Sequence, residues 1–241
     1  MMHRLTSFLF VIMLIGGSYP SVHAQNQTDA SITGQGSLSF GLGIPTGDFN
    51  ENTNNLGYGG NVYIGAEFPN SPVGVGIDFS VFAFGRNTRK APFSETIPGV
   101  RVDVITTNTI VQPHLVLRLQ PREGLVRPYA EGLFGFKYLF TDTRVQDERR
   151  EDETIASSRN FDDFALSAGG AAGVHIRVAQ GNPGSEQNSF RAIYLKLGLQ
   201  YMWGREAEYL DISDGYNPDN PQVRQSNTTM LIPMIGVSFQ F

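Results

Sequence analysis

The chain has 241 residues, with 18 Lys and Arg against 23 Asp and Glu and no cysteine. A formal net charge of −5 gives no electrostatic case for nucleic-acid binding. The lack of cysteine excludes a disulfide framework and a lipoprotein anchor behind an export leader, and the length suits one barrel or one large sandwich.

In chain order, residues 1–24 read as a secretory signal peptide. Arg4 supplies the positive start, Leu5 to Gly17 is a mostly apolar core, and Val22 and Ala24 give the small-residue cleavage pattern before Gln25. The apolar core falls short of the roughly 20 residues that a membrane-spanning helix needs. The expected mature domain is therefore 25–241.

That remainder divides into about eight alternating strands. Near 34–44, Leu38, Phe40, Leu42 and Ile44 share one face, with Ser37, Ser39, Gly41 and Gly43 opposite. Near 57–68, Tyr58, Val62, Ile64, Ala66 and Phe68 oppose Asn61, Tyr63, Gly65 and Glu67. Near 73–85, Val75, Ile77, Phe79 and Val81 oppose Gly74, Gly76, Asp78 and Ser80. The fourth strand runs to Gln120 with Val111, Leu115, Leu117 and Leu119 against Gln112, His114 and Arg118. The fifth, near 128–140, sets Phe134, Phe136, Tyr138 and Phe140 against Glu131, Gly135 and Lys137. The sixth, near 163–178, sets Phe164, Leu166, Val174 and Ile176 against Ser167, Gly173, His175 and Arg177. The seventh pairs the run Ile193, Leu195, Leu197, Leu199, Tyr201 and Trp203 with Tyr194, Lys196, Gly198 and Gln200. The last alternates to the final residue, with Leu231, Pro233, Ile235, Val237, Phe239 and Phe241 on one face.

Connections alternate as well. Compact turns at 69–72, 121–124 and 181–189 are rich in Pro, Gly and Asn. Longer polar stretches lie near 45–56, 86–100, 141–162 and 204–227. Short turns on one side and long loops on the other are the habit of transmembrane barrels. Sidedness follows from volume. The large apolar residues would overfill an eight-stranded lumen, whereas the Gly, Ser and Ala of the other face suit a crowded interior. The apolar face is expected to meet lipid.

With the opening SLSFGLGIPTGDF (37–49), the strand-turn rhythm and the terminal GVSFQF (236–241), the chain resembles the small eight-stranded outer-membrane proteins of Gram-negative bacteria, in the outer-membrane β-barrel domain family. The resemblance covers all of 25–241 and is specific for architecture rather than function. It implies an all-β, closed, antiparallel up-and-down transmembrane barrel of eight strands in the cell outer membrane. It also implies contact with outer-membrane lipids and lipopolysaccharide, no following periplasmic domain, and recognition by the barrel-assembly machinery through Phe241, with Phe239 in the same phase.

The inward set carries Glu67, Asp78 and Glu131 with Arg118, Lys137, Arg177 and Lys196. Such groups tolerate burial only when paired and hydrogen-bonded. An ion path or proton relay is one reading. A salt-bridge plug is preferred, because eight strands leave no aqueous channel. Arg118 and Glu131 flank the turn PREG and are expected to pair across it. His114 and His175 also point inward, without a nucleophile elbow or metal-ligand spacing, and are expected as hydrogen-bonded interior groups, with no cofactor. The segment 142–154, with Arg144, Arg149 and Arg150, could bind divalent cations, lipopolysaccharide phosphates or a protein; the default is a solvated outer loop. DISDGYNPDN (211–220) lacks EF-hand spacing. The expected role is structural or surface-interacting and non-enzymatic. The alternatives are a lipid-modifying enzyme of the outer leaflet and a barrel subunit of an envelope secretion or assembly complex.

Overall fold

Strands whose two sides meet different surroundings must alternate in polarity, and that alternation organises the described chain. A computed structural model describes residues 31–53, 55–92, 101–147, 150–181, 190–212 and 221–241. The elements are β1 (Thr33–Pro45), α1 (Asp48–Thr53), β2 (Gly57–Glu67), β3 (Val73–Pro92), β4 (Arg101–Leu119), β5 (Val126–Asp147), β6 (Arg150–Gln180), β7 (Ala192–Gly204), β8 (Glu206–Leu210), β9 (Val223–Asn227) and β10 (Met230–Gln240). Eight of the strands close into one antiparallel ring in the order β1-β10-β7-β6-β5-β4-β3-β2, and β8 with β9 forms a separate hairpin sheet. Consecutive ring strands are neighbours throughout, so the barrel is up-and-down. The seam joins the two ends of the described chain. Leu38 faces Val237 across β1 and β10, and Gly34 and Phe241 exchange two backbone hydrogen bonds of 3.0 Å.

The large apolar side chains point outward. Leu38, Ile64, Ile77, Leu115, Phe134 and Phe164 are each more than half exposed. From Ile193 to Trp203 on β7 the outward set spans ten residue steps. At about 3.3 Å per residue and a tilt of about 40°, that is a belt roughly 25 Å tall. Tyr58, Tyr201 and Trp203 are exposed at one rim, and Phe68, Phe190 and Phe241 at the other.

The interior has two halves. Towards the end where β1 starts it is polar, with Gln35, Glu67, Arg118, Arg127, His175 and Lys196 all buried. Towards the opposite end Phe82, Phe84, Ile110, Leu139, Met202, Met230 and Ile232 form an apolar cluster. Phe49 of α1 closes it, with ring centroids 5.6 Å from Phe84 and 5.5 Å from Tyr209 of β8. Glycine makes room for these rings: a Cβ at Gly57 would sit 2.6 Å from the Phe84 ring.

The long polar stretches differ from the sequence expectation. β3 continues to Pro92, β4 begins at Arg101, β5 reaches Asp147 and β6 begins at Arg150. The described parts of 86–100 and 141–162 are thus largely strand, and the charged segment 142–154 is the tip of the β5–β6 hairpin, with Glu148 and Arg149 outside the described residues. The physical reason is that alternation in polarity fades beyond the belt, where lipid no longer demands an apolar outer face, while β-branched runs such as Ile105-Thr106-Thr107 keep the pairing favourable. The stretch 45–56 holds α1, and 204–227 holds β8 and β9. A bulge between Phe84 and Arg86 interrupts β3. Gly85 takes φ +67° there, a conformation open to glycine at little cost. Below the bulge the odd-numbered residues of β3 face out; above it Arg86 and Thr88 do, opposite Thr107 and Ile105. The expected signal peptide, the turn at 182–189 and most of 211–220 lie outside the described residues.

Candidate functional site: the charged interior

β4 and β5 set Arg118 directly opposite Glu131. Its Nε donates to Glu131 Oε1 at 2.6 Å and its Nη2 lies 2.5 Å from the same oxygen. Nη1 donates to Gln35 Oε1 at 2.6 Å. The guanidinium carbon stands 3.7 Å from the Tyr63 ring centroid, a cation–π geometry in a desolvated place. Gly65 and Gly76 flank that ring, where a Cβ at Gly76 would sit 2.6 Å from it.

A second buried pair joins Arg127 Nη2 to Glu67 Oε1 at 2.6 Å. Arg127 also donates through Nε to the Pro121 carbonyl at 2.6 Å and lies over Tyr194. Glu67 accepts a longer bond from Gln240. Asp78 accepts from Asn61 Nδ2 at 2.5 Å and from Ser80 Oγ at 3.0 Å. Lys196 donates to Ser37 Oγ at 3.4 Å, within the field of Glu131 and Asp78. Three carboxylates and three cations therefore occupy the polar half. Each of the two arginine–carboxylate contacts is supported by further hydrogen bonds, the condition under which buried charge is tolerated.

Two of the expected residues stand apart from this group. Lys137 is fully buried but lies nearer the apolar half, where its Nζ donates to the Thr228 carbonyl. Arg177 is only half-buried, beside the register shift of β6, and makes no ion pair among the described residues. Arg127 belongs to the group and was missed by the sequence reading, which began the fifth strand at 128. Extending the odd phase of Tyr129 and Glu131 back by two positions would have found it.

His114 Nε2 lies 3.1 Å from Ser167 Oγ, which itself donates to the Trp203 carbonyl at 3.1 Å. His175 Nδ1 contacts Gln120 Nε2 at 2.5 Å, and its ring stacks on Tyr129. A serine beside a histidine suggests a nucleophile and base, but both are sealed inside the wall. Among the described residues no cluster of three His, Cys, Asp or Glu could hold a metal ion. At the C-terminal seam, the Phe241 ring lies against Gly34, where a Cβ would meet it, and Phe239 packs on Phe190 at 5.3 Å.

The ring of strands and its filled interior define the class: a closed eight-stranded antiparallel β-barrel, apolar outside and charged within. No family model and no curated protein matches the sequence. Among solved structures, Neisserial surface protein A is similar at 11% identity and TM-score 0.40, over 87% of this chain and 97% of that one. A major outer membrane protein from Thermus thermophilus is similar at 13% identity and TM-score 0.40, over 86% and 99%. Ail, the attachment invasion locus protein of Yersinia pestis, is similar at 11% identity and TM-score 0.32, over 87% and 97%.

Proposed function

We propose that the chain is an integral outer-membrane β-barrel with a plugged lumen, exported by the signal peptide at 1–24 and serving a structural or surface-interacting role through its long hairpins. The observation that carries this reading is the inverted wall: an apolar belt roughly 25 Å tall faces outward, while buried ion pairs and the aromatic cap under Phe49 fill the inside. An aqueous protein would expose that belt at the cost of aggregation. The role we infer is non-enzymatic: His114 and Ser167, the nearest approach to a catalytic pair among the described residues, are enclosed by the wall.

Purified protein folded into phospholipid vesicles tests the reading. Unheated samples should migrate faster than boiled ones on a denaturing gel, and the protein should stay with the vesicles after carbonate washing. A monomer that is soluble in detergent-free buffer, with no heat-dependent shift, would overturn it.

A further inference from the structure

Above the belt, β3, β4, β5 and β6 continue as one paired stretch of wall. Their outward face opens into a groove of about 720 Å³ between Arg86, Ile105 and Arg144, with Leu56 and Tyr58 alongside and Gln146 at the far edge. The bulge at Gly85 puts Arg86 on this face. Arg144 pairs with Ile105, one rung further out and two strands away, which separates the two backbones by about 10 Å.

The charge pattern is unusual for an acidic chain. On the same outward face Arg159 is taken up by Asp142 at 3.2 Å, and on β9 Arg224 is taken up by Asp211 at 3.0 Å. Arg86 and Arg144 have no ion pair or hydrogen bond among the described residues, and both are exposed. Two unpaired guanidiniums beside apolar side chains match an amphiphile with an anionic head: planar forks suit phosphate oxygens, and Tyr58, level with Ala83 and so one rung nearer the membrane than Arg86, suits the first methylenes below it.

We propose that this groove binds the phosphorylated headgroup of an outer-leaflet glycolipid, with Arg86 and Arg144 on phosphate and Tyr58 against the lipid's apolar part. The proposal rests on the outer-membrane reading above. That reading puts the rim residue Tyr58 at the hydrocarbon boundary, so a groove one or two rungs further out meets headgroups.

The test uses the full mature chain folded in detergent micelles, with native mass spectrometry reporting retained lipid. Three probes are added in turn: a bisphosphorylated acylated diglucosamine, the same glycolipid without phosphates, and inorganic phosphate. One phosphorylated glycolipid should be retained per barrel. The dephosphorylated analogue and the double variant R86A/R144A should each bind at least about tenfold more weakly, and R86K/R144K should fall between. Arg205→Ala, an exposed cation beyond the belt on another side of the barrel, should bind as the wild type does. Equal retention of the dephosphorylated lipid, displacement by millimolar inorganic phosphate, an unaffected R86A/R144A, or an equal loss in Arg205→Ala would each overturn the site. A barrel that shows the heat-dependent gel shift yet retains no glycolipid refutes the groove alone; a chain that never shows the shift refutes the membrane reading.

Discussion

Glu131 is the residue whose loss should be felt most. Its carboxylate takes two contacts from Arg118, whose own side chain is 1% exposed, so truncation leaves a buried guanidinium with one hydrogen bond, to Gln35, and the Tyr63 ring beside it. Breaking a dry ion pair from one side costs on the order of 3–5 kcal/mol, and less where water can enter. Glu131→Ala should therefore lower the urea midpoint of unfolding from vesicles well below that of Glu206→Ala, which alters an exposed position on β8. Replacing both partners, as R118M/E131L, should cost less than Glu131→Ala, because no orphaned charge remains. Equal midpoints for Glu131→Ala and Glu206→Ala would remove the ion pair from the account of stability. The pair was legible in the sequence because strand phase and the short PREG turn fix both residues. The role of Tyr63, and of Tyr129, whose ring centroid lies 5.4 Å from the Arg118 guanidinium carbon, was not, since an aromatic in the inward phase gives no sign of stacking on a cation.

At the scale of elements, the strand that closes the ring is the most exposed to error. β10 has to find β1 across almost the whole sequence, a pairing with a large loop-closure cost. Phe241 sits at that seam with its backbone bonded to Gly34 and its ring across the same residue. Phe241→Asp puts a charge at the lipid boundary and removes the ring, so folding into vesicles should slow several-fold, read as the time course of the fast-migrating gel band. Folding at the wild-type rate would show that the seam closes without it. The belt strands were legible because two different solvents impose strict alternation. The outer ends of β3 to β6 were not, because beyond the belt no lipid imposes that constraint; α1 is too short to carry a periodic signal, and the alternation of β8, Glu206 and Glu208 against Ala207 and Tyr209, spans only five residues. β8 is held by contacts distant in sequence, such as Asn108 Nδ2 donating to the Leu210 carbonyl at 2.9 Å.

For the molecule as a whole, the question is whether anything passes through it. Ion pairs obstruct the polar half, and rings from β3, α1 and β8 obstruct the other. An eight-stranded barrel has little lumen to spare once side chains fill it. Purified protein in planar bilayers should show no steady single-channel conductance. Large, stable steps would sink the plug. Architecture was legible at this scale because a closed ring follows from strand number and sidedness, whereas the plug depends on how particular side chains meet.

The bulge at Gly85 behaves like a shift of reading frame. Side-chain facing in a strand has only two values, so one supernumerary residue inverts the assignment of everything beyond it while leaving the wall before it untouched. Were Gly85 paired as an ordinary strand residue with no bulge, Arg86 and Thr88 would turn towards the axis and Asn87 and Arg89 towards the outside. Deleting Gly85 would instead leave Arg86 opposite Thr107 and outward, so the inner and outer chemistry of the outermost β3 depends on that one residue being held out of the ladder.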